Sequence, residues 1–121
     1  MVHDAMEQHY PTRDELQLVD VLHALSDPVR LQIVEALDRA DGPVACGQMS
    51  LPVGKSTASH HFKVLREAGV AQVRDEGTRR YHSLRRDDLD ARFPGLLDTV
   101  LQAAYGASSG RPSSRTRSAA S

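Results

Sequence analysis

The sequence is poor in cysteine and aromatic residues, and it contains no long apolar run. Among its 121 residues there are one cysteine and no tryptophan, and aromatic residues make up 4%. Because aromatic residues are scarce, Leu, Val and Ala must build the core. A single cysteine excludes an intramolecular disulfide and suits a reducing cytoplasm. No stretch approaches the roughly 18 apolar residues of a membrane span, and the N-terminus shows no signal-peptide pattern. We therefore predict one cytoplasmic domain without a membrane segment.

The net charge of −1 conceals an uneven distribution along the chain. Residues 1–54 carry three Arg against nine acidic residues, whereas residues 55–86 carry eight Lys and Arg against three acidic residues. Residues 87–105 are acidic again, and residues 106–121 contain three Arg and no acid. A basic third in an otherwise acidic protein is typical of a surface that binds phosphate groups. By charge alone, an ordinary solvated surface is the alternative interpretation.

Local capping signals predict two helices in the first third of the chain. Thr12 and Glu15 fit a capping box at the start of the first helix. Its leucines and valines spread over more than one face, which indicates one face for the core and one for a partner subunit. Asp27 followed by Pro28 begins a second helix, and Asp-Gly-Pro at 41–43 ends it.

The middle of the chain predicts a short helix, a longer helix and a β-hairpin. Residues 44–54 contain Pro and Gly and leave room only for a short helix, and Lys55–Ala68 form the next helix, which Gly69 closes. Residues 70–75 and 78–84 are rich in Val, Thr and Tyr and read as the two strands of a hairpin. Two helices joined by a tight turn and followed by a basic hairpin predict a winged helix-turn-helix.

The last helical region begins near Asp87, and Pro94 should interrupt it. We predict a flexible segment at 1–11, a winged helix-turn-helix domain for DNA binding and dimerisation at 12–105, and a disordered tail at 106–121. The fold class is α+β, mainly α with a small β-hairpin.

The helix predicted at 55–68 combines a narrow apolar stripe with a polar face suited to DNA. Ala58, Phe62 and Leu65 recur at helical spacing. Short hydroxyl side chains let the first turn approach base edges, and its free backbone amides attract phosphate. A plain polar surface helix is disfavoured by the basic hairpin that follows, and His61 has the alternative of bonding to a neighbouring element. The predicted DNA-binding residues are Lys55, Ser56, Thr57, Ser59, His60, His61, Lys63, Arg74, Arg79 and Arg80.

At these positions the chain resembles the ArsR/SmtB family of bacterial metalloregulators and their metal-independent relatives. LSDPVRL at 25–31 matches the family's second-helix signature, STASHHFKVLREAGV at 56–70 matches its recognition helix, and EGTRRY at 76–81 resembles its wing. The likeness covers about residues 14–104. It implies a homodimer, joined through the first and last helices, in which each subunit reads half of an inverted repeat. It also implies control by an effector, and it favours repression over activation.

The predicted dimer interface follows from this resemblance and from the two apolar faces of the first helix. It consists of Leu16, Val19, Leu22, Leu97, Val100 and Leu101.

Metal ligands are few, and those near the N-terminus are of the imidazole and carboxylate types that suit nickel, zinc or copper, of which we keep nickel or zinc as the candidate effector. The family's soft-metal sites use a pair of cysteines, but Cys46 has no second thiolate beside it, and a core thiol is its simpler interpretation. The family's zinc-type site needs histidine in the last helix, which has none here. His3, Asp4 and His9 are the other candidate ligands. The alternative interpretation is a flexible tail whose histidines bind no metal. Redox control, a small molecule or no effector stay open.

Enzyme functions are disfavoured by missing motif residues. Gly-Lys-Ser at 54–56 resembles the end of a phosphate loop, but Met49 stands where the first glycine belongs and no strand precedes it. No nucleophile elbow surrounds Ser56 or Ser59. A winged-helix module that binds proteins instead of DNA remains as the alternative. We therefore predict a non-enzymatic regulator that binds double-stranded DNA with affinity that falls as salt rises.

Overall fold

The computed structural model describes residues 10–40 and 42–106, and at Cys46 it describes only the backbone. Most of the predicted flexible segment 1–11 and of the predicted disordered tail 106–121 lies outside these residues. The elements in chain order are a 3-10 turn (Arg13–Glu15), α1 (Leu18–Ala24), α2 (Pro28–Arg39), β1 (Val44–Ala45), a second 3-10 turn (Cys46–Gln48), α3 (Lys55–Ala68), β2 (Ala71–Glu76), β3 (Arg79–Leu84), α4 (Arg86–Arg92) and α5 (Leu96–Tyr105).

The helix boundaries predicted from capping residues are confirmed for α2 and α3. Asp27 accepts hydrogen bonds from the backbone amides of Val29 at 2.8 Å and Arg30 at 3.1 Å, and proline occupies the first turn of α2. At the other predicted boundary, Gly69 ends α3 in the left-handed conformation with φ of 86°. These signals act over a few residues of chain, which is why sequence alone located them.

The N-terminal helix begins later than predicted, and this difference corrects one interface residue. Glu15 does accept a hydrogen bond from the Thr12 amide at 2.9 Å, as the capping box requires. The turn nevertheless ends there, and Leu16 adopts an extended conformation before α1. Leu16 is fully buried within the protomer, and its carbonyl accepts from Arg92 at 2.6 Å. Leu16 therefore belongs to the core and not to the surface that a second subunit would cover.

Two other residues predicted at the dimer interface are also core residues. Leu97 and Leu101 of α5 are buried inside the protomer, whereas Val100 is half-buried. Val19 and Leu22 of α1 are exposed, as an interface residue of the free subunit must be. Helix periodicity identified the apolar stripe of α5, but it gave no information on which neighbour covers that stripe.

The predicted hairpin is present: β2 is shifted by one residue, β3 begins one residue later than predicted, and a third strand joins them. Glu76 pairs with Arg79 across the turn, and Ala71 pairs with Leu84 at the far end. In the two-residue turn, Gly77 has a φ of 65°. The two-residue strand β1 pairs antiparallel with β3, which gives the sheet order β1-β3-β2. A strand of two residues is too short to show alternation, so the sequence predicted only a short helix here.

The interruption predicted at Pro94 separates α4 from α5. Arg86 of α4 bridges these helices to the rest of the domain, since it contacts Asp38 of α2 at 2.7 Å and Asp98 of α5 at 3.0 Å. The core lies beneath α3, and it is mainly aliphatic, with the rings of Phe62 and His82 as its exceptions. Its fully buried larger residues are Leu16, Val21, Ile33, Val34, Phe62, Leu65, Val70, His82 and Leu97. Within the described part of the chain, no helix has the length and apolarity needed to cross a membrane.

Candidate nucleic-acid interface

The outer face of α3 is polar and exposed, while its inner face is anchored in the core. Phe62 and Leu65 are buried, and Ala58 is half-buried between the two faces. This orientation follows from the apolar stripe, because burying those side chains fixes which residues face solvent. Six of the predicted DNA-binding residues are exposed on this helix: Lys55, Ser56, Thr57, Ser59, His60 and Lys63.

The N-terminal end of α3 presents backbone donors together with hydroxyl groups. The N-cap residue is Gly54, which has no side chain to accept from the first-turn amides. Ser56 and Thr57 in that turn are exposed. Helix N-termini carry a partial positive charge and attract phosphate oxygens. This end of α3 is therefore suited to an anionic backbone.

His61 is the predicted DNA-binding residue that the structure places elsewhere. It is 9% exposed, and its Nδ1 lies 3.1 Å from Nη1 of Arg30. Its Nε2 lies 3.8 Å from a carboxylate oxygen of Asp27. The neighbouring His60 is exposed, with its ring centroid 5.8 Å from that of His61. The two histidines thus have different roles: His60 faces solvent, and His61 connects α3 to α2.

The hairpin of β2 and β3, which we call the wing hairpin, exposes three arginines. Two of them contact acidic neighbours. Arg74 lies 3.0 Å from Glu76 and Arg80 lies 3.1 Å from Asp75, all four side chains being about half exposed. Arg79 lies beside the turn and is exposed. Exposed ion pairs of this kind contribute little free energy, so they do not prevent the arginines from moving toward phosphate.

The basic third of the sequence is less basic at the surface than its composition suggests, because three of its arginines are used inside the protein. Arg66 contacts His82 at 3.2 Å, and Arg85 donates to the carbonyl of Pro11 at 2.6 Å. Arg86 bridges α2 and α5 as described above. The five cations left on α3 and the wing are Lys55, Lys63, Arg74, Arg79 and Arg80.

Arg66 and His82 join α3 to the sheet, a connection that the sequence did not predict. The His82 ring lies 4.4 Å from the Phe62 ring, centroid to centroid, and its Nε2 lies 3.2 Å from Nη1 of Arg66. Burial, reinforced by the positive charges of Arg66 and Arg80, lowers the pKa of His82 to about 4. His82 is therefore neutral at pH 7 and accepts from Arg66. Only the pairing of β3 brings these residues together, so no local signal could have revealed them.

The metal candidates gain no support from the described residues. Among residues 10–40 and 42–106, no three His, Cys, Asp or Glu side chains are grouped as metal ligands. The candidates His3, Asp4 and His9 lie outside these residues, as does the Cys46 side chain. The chain has one cysteine, and one thiolate does not fit a soft-metal site.

Comparison with known proteins agrees with this geometry. Residues 25–74, from the end of α1 to the middle of β2, match a family described as a helix-turn-helix domain. The chain is 37% identical over 89 residues to YceK of Bacillus subtilis, named an uncharacterized HTH-type transcriptional regulator, and the match covers 72% of this chain and 89% of that protein.

Two further relatives have names that mention metal resistance or repression. The chain is 32% identical over 73 residues to a homolog of the cadmium resistance transcriptional regulatory protein CadC in Staphylococcus aureus, covering 60% of each chain. It is 32% identical over 68 residues to a homolog of the transcriptional repressor SmtB in Synechocystis, covering 56% of this chain and 52% of that protein. The chain thus spans between half and two thirds of these two proteins.

The helix-turn-helix geometry, the exposed polar face of α3 and these relatives lead to one assignment. The chain is a DNA-binding transcriptional regulator and belongs to the ArsR/SmtB family.

Proposed function

We propose that this regulator binds an inverted-repeat operator as a homodimer and represses transcription. In this proposal α3 of each subunit enters the major groove, and the wing hairpin contacts the adjacent backbone or minor groove. The observation that carries it is the exposed polar face of α3, held outward by buried Phe62 and Leu65.

Side-chain chemistry divides the exposed residues into base-reading and phosphate-binding groups. His60 is able to donate to or accept from a base edge, and Ser59 beside it has a hydroxyl that does both. Lys63 and Arg79 have donors only, and their length suits them to phosphate oxygens. We therefore assign sequence selectivity to His60 and general affinity to Arg79.

Dimerisation is supported by an apolar face on α1 that the protomer leaves exposed. Leu18, Val19 and Leu22 are 45%, 75% and 44% exposed, and their spacing places them on one side of the helix. Three large apolar side chains together on the surface are typical of an association site. A twofold symmetric pair of α3 helices requires a symmetric operator, which is why we propose an inverted repeat.

Repression is supported by the name of one relative, a homolog of the transcriptional repressor SmtB. The effector is a separate question, because the described residues contain no group of three metal-ligating side chains and the candidate ligands lie outside them. The candidates His3, Asp4, His9 and Cys46 are tested by DNA retardation with chelator and with added nickel or zinc. We also propose a cytoplasmic location, which agrees with DNA as the ligand.

The experiment that tests the proposal begins with selection of duplexes from a randomised pool by the wild-type protein. Affinity for the selected duplex and for a scrambled duplex is then measured at several KCl concentrations. We expect His60→Ala to weaken binding to the selected duplex by about 10-fold to 100-fold, the range of a lost base contact, and to leave the scrambled duplex unaffected. Arg79→Ala should weaken binding to both duplexes equally and reduce the salt slope by about one per subunit.

Exposed Arg39 on α2 provides the matched control, and Arg39→Ala should change neither affinity nor slope. Equal loss on both duplexes from His60→Ala would contradict the base-reading role of that residue. Wild-type affinity that is independent of KCl would favour the alternative of a protein-binding module.

A further inference from the structure

A buried guanidinium joins the three helices that lie behind the DNA-facing surface. Arg30 of α2 is 8% exposed. Its Nε donates to the carbonyl of Ala24 at 2.8 Å and its Nη2 donates to the carbonyl of His23 at 3.2 Å, both in the last turn of α1. Its Nη1 lies 3.1 Å from Nδ1 of His61 on α3. One side chain therefore connects the end of α1 and the side of α3 to the start of α2.

The direction of the hydrogen bond between Arg30 and His61 defines the state of the imidazole. A guanidinium has donors only, so Nδ1 of His61 accepts and the ring proton lies on Nε2. Nε2 lies 3.8 Å from the carboxylate of Asp27, which also accepts from the amides of Val29 and Arg30. His61 is thus held between two side chains of the same helix end. We refer to Asp27, Arg30 and His61 as the Arg30 cluster.

We propose that Arg30 is a positioning residue that fixes the rotation of α3 about its own axis through His61, and thereby aligns His60 with base edges. This inference rests on the proposed sequence-specific binding. The apolar contacts of Phe62 and Leu65 give α3 its depth in the core, but hydrophobic contact is non-directional and permits small rolls. A hydrogen bond has a narrow range of length and angle, so the Arg30 cluster removes that freedom.

The required precision explains why a buried charge is placed here. Recognition side chains must be held within about 0.5 Å of their productive position. His60 follows directly before His61 in the chain, and their ring centroids are 5.8 Å apart. A shift of His61 therefore moves His60 relative to a base edge, while mobile lysines still reach phosphate.

The same cluster connects α3 to the helix that carries the exposed apolar face. Arg30 holds the last turn of α1, and Val19 and Leu22 lie on that helix. A second subunit that packs on α1 would therefore fix the anchor from which α3 is aligned. Arg30 thus connects the surface proposed for subunit association with the helix proposed to read bases.

Two substitutions of His61 that differ only in the position of the acceptor provide the test. In His61→Asn the side-chain oxygen takes the place of Nδ1 and accepts from Arg30, whereas in His61→Gln it lies near the place of Nε2. We expect His61→Asn to retain the wild-type affinity for the selected duplex and His61→Gln to lose about 10-fold, comparable to one lost base contact. Affinity for the scrambled duplex should stay unchanged in both variants.

Arg30→Lys is the second variant, since an ammonium does not reach all three acceptors in fork geometry. It should lose selectivity as His61→Gln does, and the double variant Arg30→Lys with His61→Gln should lose no more than either alone. Exposed Arg39 on the same helix supplies the control, and Arg39→Lys should have no effect. Imidazole nitrogen shifts in NMR spectra should show the Nε2-protonated form of His61 in the wild type and a changed form in Arg30→Lys.

The possible outcomes separate this inference from the proposed function. Loss of selectivity in His61→Gln and Arg30→Lys, with retention in His61→Asn, supports the positioning role. If His61→Gln keeps the wild-type affinity ratio, or loses affinity for both duplexes in parallel with unfolding, the positioning role is wrong while sequence-specific binding stands. If the wild-type protein selects no sequence from the pool, both the proposed function and this inference fail.

Discussion

At the scale of single residues, His82 shows how burial converts a titratable side chain into a core residue. It is 1% exposed and lies on β3 opposite Val44 and Val73 of the neighbouring strands. Burial is the largest cause of its lowered pKa, followed by the charges of Arg66 and Arg80, and Asp75 opposes them weakly. Neutral His82 links the sheet to α3 through Arg66.

The lowered pKa of His82 predicts a loss of stability in mild acid. With a folded-state pKa of about 4 against 6.5 in the unfolded chain, the unfolded chain binds the proton more tightly. The stabilising contribution is therefore complete above pH 6.5 and is lost as the pH falls toward 4. We expect the free energy of unfolding to decrease by about 2 kcal/mol from this group between pH 7.5 and pH 5, measured by urea denaturation.

His82→Gln is the control for this prediction, because glutamine keeps an acceptor and does not titrate. Its free energy of unfolding should change less over the same pH range than that of the wild type. An identical pH dependence in the two proteins would assign the effect to other groups.

At the scale of elements, two glycines with positive φ end α3 and form the turn of the wing hairpin. Gly69 ends the helix at φ of 86°, and a Cβ there would overlap the Leu16 side chain and lie 2.9 Å from Cγ of Pro11. Gly77 in the wing turn also has a positive φ of 65°, but a Cβ there would have no neighbouring atom within 4 Å. A side chain at either glycine would be strained by the positive φ, but only at Gly69 would it also overlap a neighbouring side chain.

We predict that Gly69→Ala destabilises the protein much more than Gly77→Ala. Both variants pay about 1 kcal/mol for a side chain at positive φ. Only Gly69→Ala adds the cost of displacing Leu16 from the core, about 1–3 kcal/mol for an overpacked site. Chemical denaturation of both variants measures the difference, and equal losses would show that the approach of Leu16 to Gly69 is unimportant.

At the scale of the whole molecule, the protomer leaves an apolar face on α1 while burying the apolar stripe of α5. Leu97 and Leu101 pack inside the same chain, whereas Val19 and Leu22 do not. We therefore expect a dimer to use α1 more than α5, whereas the sequence predicted three interface residues near α1 and three on α5. Because the Arg30 cluster holds the end of α1, this face also bears on the alignment of α3.

We predict that Val19→Glu makes the protein monomeric without unfolding it. Val19 is 75% exposed, so its replacement should change the free energy of unfolding of the subunit by no more than about 0.5 kcal/mol. A carboxylate in an apolar interface loses its hydration and opposes association. Sedimentation measures the association state, and affinity for the selected duplex should fall at least about 10-fold because one half-site is lost.

Exposed Ala91 on α4 supplies a matched control, since Ala91→Glu adds the same charge outside the proposed interface. It should leave both association and DNA affinity unchanged. Dimeric Val19→Glu would place the subunit interface elsewhere.

The sequence by itself determined the order of the longer helices and of the hairpin strands, several helix ends and the resemblance to the family. Asp27, Pro28 and Gly69 act on backbone groups only a few residues away, so their effect is the same in any fold. The periodicity of Phe62 and Leu65 determined the outward face of α3 in the same way. These local signals were enough to predict a winged helix-turn-helix. Of the seven DNA-binding residues that they predicted on α3, six are exposed.

Tertiary structure alone decided what each buried polar side chain does. Arg30 and His61 are 31 residues apart in the chain, and Arg85 reaches Pro11 across 74 residues. Burial and pairing of this kind depend on which elements pack together, and no local pattern encodes that. The sequence therefore predicted a DNA-binding helix, whereas the separation of His60 at the surface from His61 behind it was decided by the packing of α1, α2 and α3.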